Sequence, residues 1–306
     1  MGRDYRKYRD GSSHHVYIRA VDGNIIFYSS RDCIFYLSLY YHLAKRHGIV
    51  TRAFSIMPNH VHSNEQAPSE ESFFSFHRDM ARVFSKEYNA EHGRTGRVFE
   101  KPFGFAAKTV GKRVRDNIAY IVNNPVVGKL CKGVESYRWS LMAYRDSDHP
   151  FSEKIVLNKA SYRLRRSLRR LQYYHDNGIP LDYACQRLLF DGLNSKETAQ
   201  LTDRIISMHN CLDYNEISRF YNDSIENAIL AISANSGSEH DIPEDFEDYS
   251  AYKEMISLAS QNGIDRQKCN YEILPPKEVS RLAELFSRLG FPFRQIRKFL
   301  HLKVSK

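Results

Sequence analysis

At 306 residues and 35.7 kDa the chain is long enough for one large domain or two ordinary ones, and it can bury a substantial core without disulfides. Hydrophobic residues make up 42%, aromatic residues 13%, and mean hydropathy is −0.55, which excludes both a disordered chain and a membrane-embedded one. Net charge is +9, and it is uneven: residues 1–150 hold 23 Lys and Arg against 15 Asp and Glu, residues 151–306 hold 22 against 21. A basic half with interleaved aromatics points to a polyanion partner, most often nucleic acid. The first residues lack the apolar segment of a secretory signal, and no apolar run reaches the roughly 18 residues of a spanning helix. A cytoplasmic, nucleoid-associated protein with no membrane partner is expected. Five scattered cysteines with no CxxC pair suggest neither a disulfide framework nor a zinc knuckle.

In chain order, His14 to Ala20 alternates like a strand, and Gly23 to Ser30 reads as its continuation or a hairpin. Arg31 to His47 has a helical period closed by Gly48, and Ile49 to Ile56 is a second strand running into Met57-Pro58-Asn59-His60-Val61-His62-Ser63. Glu70 to Asn89 is helical, with Phe73, Phe76, Met80 and Phe84 on one face, and a basic, Gly-containing loop spans 92–104. Val110 to Asn124 forms a helix that Pro125 is expected to end. This order gives a small α+β domain over residues 1–148. Residues 155–306 read as helices only. Among them Ser161 to Tyr174 carries five arginines, the acidic stretch 235–249 reads as a linker, and 276–302 has the outline of a helix-turn-helix.

Chemistry concentrates in two places. On a strand His60 and His62 project from one face, and two imidazoles on one rigid element can share a divalent metal. On the later helix Tyr120 and Asn124 lie one turn apart. Asn124 offers a neutral oxygen ligand suited to Mg²⁺ or Mn²⁺ beside imidazoles, and Tyr120 offers a phenol able to attack phosphorus. Unperturbed, a phenol has a pKa of about 10 and needs a polarised phosphate to react.

His15-Val16 with Arg19, the run Met57 to His62, Gly96-Arg97-Val98-Phe99 with Phe103, and Tyr120-Ile121-Val122-Asn123-Asn124-Pro125 together resemble the Y1 tyrosine transposases, closest to their REP-associated, IS200-like branch. The resemblance covers about residues 10–145, with Trp139-Ser140 near its end. It implies an RNA-recognition-like (ferredoxin-like) HUH nuclease sandwich followed by the helical C-terminal region. It also implies a metal-dependent single-strand DNA endonuclease and strand transferase: His60, His62 and Asn124 hold the cation, and Tyr120 forms a 5′-phosphotyrosine. Single-stranded or hairpin DNA is the expected partner, and family members differ in oligomeric state, so monomer and homodimer both stay open.

Phosphate contacts are expected from Arg94, Arg97, Lys101, Lys108, Lys112, Arg113 and Arg115, with Phe99 and Phe103 available for base stacking. Ser63-Asn64-Glu65-Gln66 departs from the apolar strand usual in the family, and it is expected to shorten the strand and bring Glu65 near the metal. Two other readings compete with a transposase. One is a transposase-derived DNA-binding protein without catalysis, and the other is a metal hydrolase that uses water in place of Tyr120.

Overall fold

A computed structural model describes residues 7–235, 237, 239, 247–264 and 274–303. Alternation places Ser13–Arg19 (β1) in a strand, and Ser30–His47 (α1) follows as a helix whose first turn is closed by Asp32 accepting the Ser29 N–H at 3.0 Å. It ends at Gly48, which takes the left-handed φ of 68° that a side chain disfavours. Val50–Met57 (β2) and His60–Gln66 (β3) form a hairpin, followed by Glu70–Glu91 (α2), Gly104–Lys108 (β4) and Gly111–Val127 (α3). The four strands make one antiparallel sheet in the order β2-β3-β1-β4. The first part of the chain is therefore mixed α+β, with β3 and β1 at the centre of the sheet.

Strand alternation gives the sheet two unlike faces. Val16, Ile18, Phe54, Ile56 and Val61 point to the side covered by α1 and α2, where Phe73, Phe76, Met80 and Phe84 are at most 1% exposed. Opposite them, Tyr17 pairs with His62 and Arg19 with His60, so these side chains share the other face with His15 and Asn64. Gly104 on β4 pairs with Tyr17, and a Cβ there would lie 2.2 Å from the Tyr17 ring, so only glycine lets the ring cross.

Several expectations are corrected. Residues 24–29 are neither strand nor hairpin, because their N–H groups are taken elsewhere: Ile26 and Phe27 both donate to Pro58 O, and Ile25 donates to Lys298 O. β4 overlaps the basic loop at 92–104 only at Gly104 and otherwise falls before the helix expected from Val110, where the sequence suggests no element; five residues opened by glycine carry little periodic signal. α3 runs through Pro125 to Val127, as a proline in the last turn removes only one terminal bond. β3 is not shortened by Ser63-Asn64-Glu65-Gln66. Glu65 alternates onto the face away from the paired histidines, accepting from Tyr40 Oη at 2.7 Å with His77 Nε2 at 2.9 Å. Burial alone raises the Glu65 pKa, but His77 and the Ser63 and Tyr40 hydroxyls outweigh it and hold the carboxyl below its ordinary range.

Beyond the turns at 134–144 the described chain is helical: Tyr162–Asp176 (α4), Tyr183–Phe190 (α5), Ser195–Met208 (α6), Tyr214–Ser218 (α7), Ile225–Ala234 (α8), Ser250–Gln261 (α9), Pro276–Arg288 (α10) and Phe293–Leu300 (α11). These helices share their cores with the first part of the chain. Leu164, Leu171, Leu189 and Leu201 pack with Ile34 of α1, Ile217, Ala228 and Ile232 join the sheet's own core, and Tyr252, Phe286 and Phe299 pack with Ile25, Tyr28 and Met57. Two helices, α10 and α11, lie within 276–302, the span of the helix-turn-helix outline, and Lys298 and Phe299 point inward, Lys298 to Glu247 at 2.6 Å. On α4, Arg163 and Arg170 bond the carbonyls of Gly192 and Leu188 at 2.9 and 3.2 Å, and Arg166 faces Asp191 at 3.3 Å. Of the acidic stretch 235–249, residues 236, 238 and 240–246 lie outside the described residues, as does Cys269.

Three buried imidazoles make this fold acid-sensitive. Burial pushes His14 and His42 down to about 4 and His209 to about 3, from an ordinary 6.5. Each is neutral when folded and takes up a proton on unfolding below that ordinary value, so its stabilisation is complete above it and lost as pH falls toward 4. Urea titrations at about pH 7.5 and about pH 5 should differ by up to about 2 kcal/mol per histidine. Equal midpoints at the two pH values would refute this.

Candidate active site

The turn at Pro58-Asn59 sets the first residues of the site. Asn59 donates through Nδ2 to Gly23 O at 2.9 Å, and its Oδ1 lies 2.6 Å from His60 Nδ1 and accepts from Tyr249 Oη at 3.1 Å. With the amide so oriented, Asn59 Oδ1 accepts from His60 Nδ1. The rings of His60 and His62 lie 4.7 Å apart, centroid to centroid, and both residues are buried. Beside them His15 Nε2 is 2.8 Å from His62 Nδ1. Burial, then the neighbouring His60, His15 and Arg19, hold the His62 pKa well below its ordinary value, so the ring is neutral, the form that can ligate.

α3 crosses this face at a fixed register. Asn64 of β3 accepts from Ser13 Oγ at 2.8 Å and donates to Asn117 Oδ1 at 2.8 Å, all of it buried. One turn beyond Asn117 comes Tyr120, whose ring centroid lies 5.7 Å from that of His62 and 5.7 Å from that of His15. The phenol ring thus stands over the histidines, partly exposed. Asn124 follows one turn further, also partly exposed, with its carbonyl accepting the Gly128 N–H at 2.8 Å. Among the described residues no group of three His, Cys, Asp or Glu side chains is arranged to hold a metal ion.

The basic residues singled out from the sequence fall into two sets. Arg97, Lys101, Lys112, Arg113 and Arg115 are exposed. Arg94 is bound to Asn89 Oδ1 at 2.7 Å and packs over the Tyr88 ring, while Lys108 is buried with its ammonium 2.9 Å from Glu239 Oε1. Phe99 is buried against Phe84, and Phe103 stacks on His77 at 4.4 Å, so both rings are engaged within the fold. Arg97 also lines a concave patch with Arg19, Arg294, Arg297 and Lys298, which joins the two ends of the chain.

Sequence reasoning passes over Asn59, Asn64, Asn117, Glu239 and Tyr249. Asn59 lies in the turn before β3, and Asn64 and Asn117 lie on a strand face and a helix face, where a polar residue at a core position is the available signal. Glu239 and Tyr249 sit in or beside the acidic stretch and carry no local signal. If the Asn64–Asn117 bond seats α3, Asn117→Ala leaves a buried amide unpaired and costs about 1–3 kcal/mol in urea unfolding. A loss below about 0.5 kcal/mol would show that apolar packing alone seats the helix.

No family model and no curated protein matches the chain. Among solved structures it is similar to one described as the structure of the REP associates tyrosine transposase bound to a REP hairpin. That likeness has 18% identity and a TM-score of 0.39, and it covers 47% of this chain and 84% of that one.

Proposed function

We propose that this protein is a transposase-like, metal-dependent single-strand DNA endonuclease and strand transferase of the HUH type, acting on single-stranded or hairpin DNA. The observation that carries the reading is the Tyr120 ring, 5.7 Å from His62 on the sheet face that bears both motif histidines. The strand order and the β-α-β-β-α-β succession support an RNA-recognition-like sandwich as its scaffold.

His60 and His62, with Asn124 as a neutral oxygen one turn past the tyrosine, would hold Mg²⁺ or Mn²⁺, donor types that suit these cations. When bound, such a cation polarises the scissile phosphate and offsets the charge that develops on it. The chain's own residues do the rest. Tyr120 Oη forms the new bond to phosphorus as the bond to the 3′ oxygen breaks, the phenol's proton is released, and the leaving 3′ oxygen gains a proton to become a hydroxyl. The phosphodiester is conserved as 5′-phosphotyrosine, and a second 3′-hydroxyl reverses the step to join strands.

Incubation with Mn²⁺ and single-stranded hairpin DNA from the native flanks should give a protein–DNA adduct on a denaturing gel. In Tyr120→Phe adduct formation should fall by about three orders of magnitude or more. Cleavage that survives Tyr120→Phe identifies a hydrolase using water, and binding without cleavage identifies a non-catalytic DNA-binding protein. Binding should also weaken with salt, and neutralising Arg97 or Arg113 should each flatten the log–log slope by about 0.7. A slope near zero for the unmodified protein would exclude phosphate tracking by this surface.

A further inference from the structure

The buried carboxylate of Glu239 has no part in the bond changes above, yet it ends among side chains of the sheet and α3. Oε2 accepts from His15 Nδ1 and from Asn117 Nδ2 at 3.0 Å, and Oε1 accepts from Lys108 Nζ at 2.9 Å. The side chains of His15 and Glu239 are 0% exposed. To bring Glu239 there, the backbone two residues earlier runs hard against α3. A Cβ on Gly237 would lie 2.3 Å from Tyr120 N and 2.3 Å from Asp116 O, and its φ is 72°, so glycine alone fits.

We propose that Glu239 and His15 are positioning residues for His62, a carboxylate–imidazole pair that decides which nitrogen of His62 is left to bind a divalent cation. The inference rests on the cation-binding role proposed for His62. Its logic is directional. An ionised carboxylate can only accept, so His15 carries its proton on Nδ1. In the proposed arrangement His15 is neutral and holds that single proton, so its Nε2 is an acceptor and the hydrogen on the 2.8 Å contact belongs to His62 Nδ1. The lone pair of His62 then resides on Nε2. Lys108 and Asn117 occupy the other sites on the carboxylate and keep it ionised. Burial would raise its pKa, but the hydrogen bond from His15 and the charge and hydrogen bond of Lys108 oppose burial and hold it at about 2. Ligand histidines in metal sites are commonly oriented by such an acceptor behind them; here a second imidazole lies between the carboxylate and the ligand.

Two readouts on the full chain test this. Long-range ¹H–¹⁵N spectra of ¹⁵N-histidine protein, with the His62 signal identified by its loss in His62→Gln, should show His62 protonated on Nδ1; a proton on Nε2 in the unmodified protein overturns the proposal without any variant. Glu239→Ala should shift His62 toward the other tautomer and weaken Mn²⁺ binding, read by electron paramagnetic resonance, by about 10–100-fold. The milder Glu239→Gln should give a smaller effect of the same sign. Unchanged Mn²⁺ affinity in Glu239→Ala overturns the proposal. So does unchanged Mn²⁺ affinity with tighter hairpin binding, which would mean that the carboxylate occupies a phosphate's place. If the unmodified protein and His60→Ala bind Mn²⁺ equally weakly, it is the cation role of the histidines that fails, and the tautomer alone then decides the role of Glu239.

Discussion

The site depends on one buried contact between two amides. Asn64 sits at the centre of the sheet on the face that bears His62, and its bond to Asn117 pins α3 above the histidines. A helix resting on a sheet by apolar packing alone can slide or rotate by part of a turn at small cost, because dispersion is not directional. A buried amide pair cannot, since breaking it strands a donor and an acceptor away from water. Tyr120 inherits its place from that pin, being one turn downstream of Asn117. The residues that depart from an apolar strand, Ser63 to Gln66, carry structural contacts. Asn64 seats the helix, and Glu65 anchors the opposite face through His77 and Tyr40.

The C-terminal half is part of the same structure. Its helices close three sides of the α+β unit, α4 to α6 against α1, α7 and α8 beside α3, and α9 to α11 over residues 25–28. It also supplies polar groups to the candidate site. Tyr249 bonds Asn59 behind His60, and Glu239 bonds His15 behind His62. The basic helix α4 directs several of its arginines to neighbouring backbone carbonyls and to Asp191, which ties it to its neighbours more than to any ligand.

Charge follows the same division between surface and interior. Lys108 and Arg94 look in the sequence like Arg97 and Arg113, yet Lys108 is buried beside Glu239 and Arg94 bonds Asn89. A cation's availability is decided by whether an acceptor lies within reach, which one-dimensional spacing does not encode.

By itself the sequence determined the helices α1, α2 and α3, the strands β1 and β2, and the co-facial placement of His60 with His62, because each rests on a local period of side chains that is independent of distant partners. It also indicated that Tyr120 and Asn124 share a helix face. The tertiary structure alone decided that residues 24–29 bond to Pro58 and Lys298 instead of forming a strand, that β4 exists, and that Glu65 turns away from the histidines. It alone brought Glu239 and Tyr249 to the site from more than 100 residues downstream of Tyr120. Those outcomes depend on which backbone and side-chain groups find a partner once the chain has folded back on itself, and no local pattern carries that information.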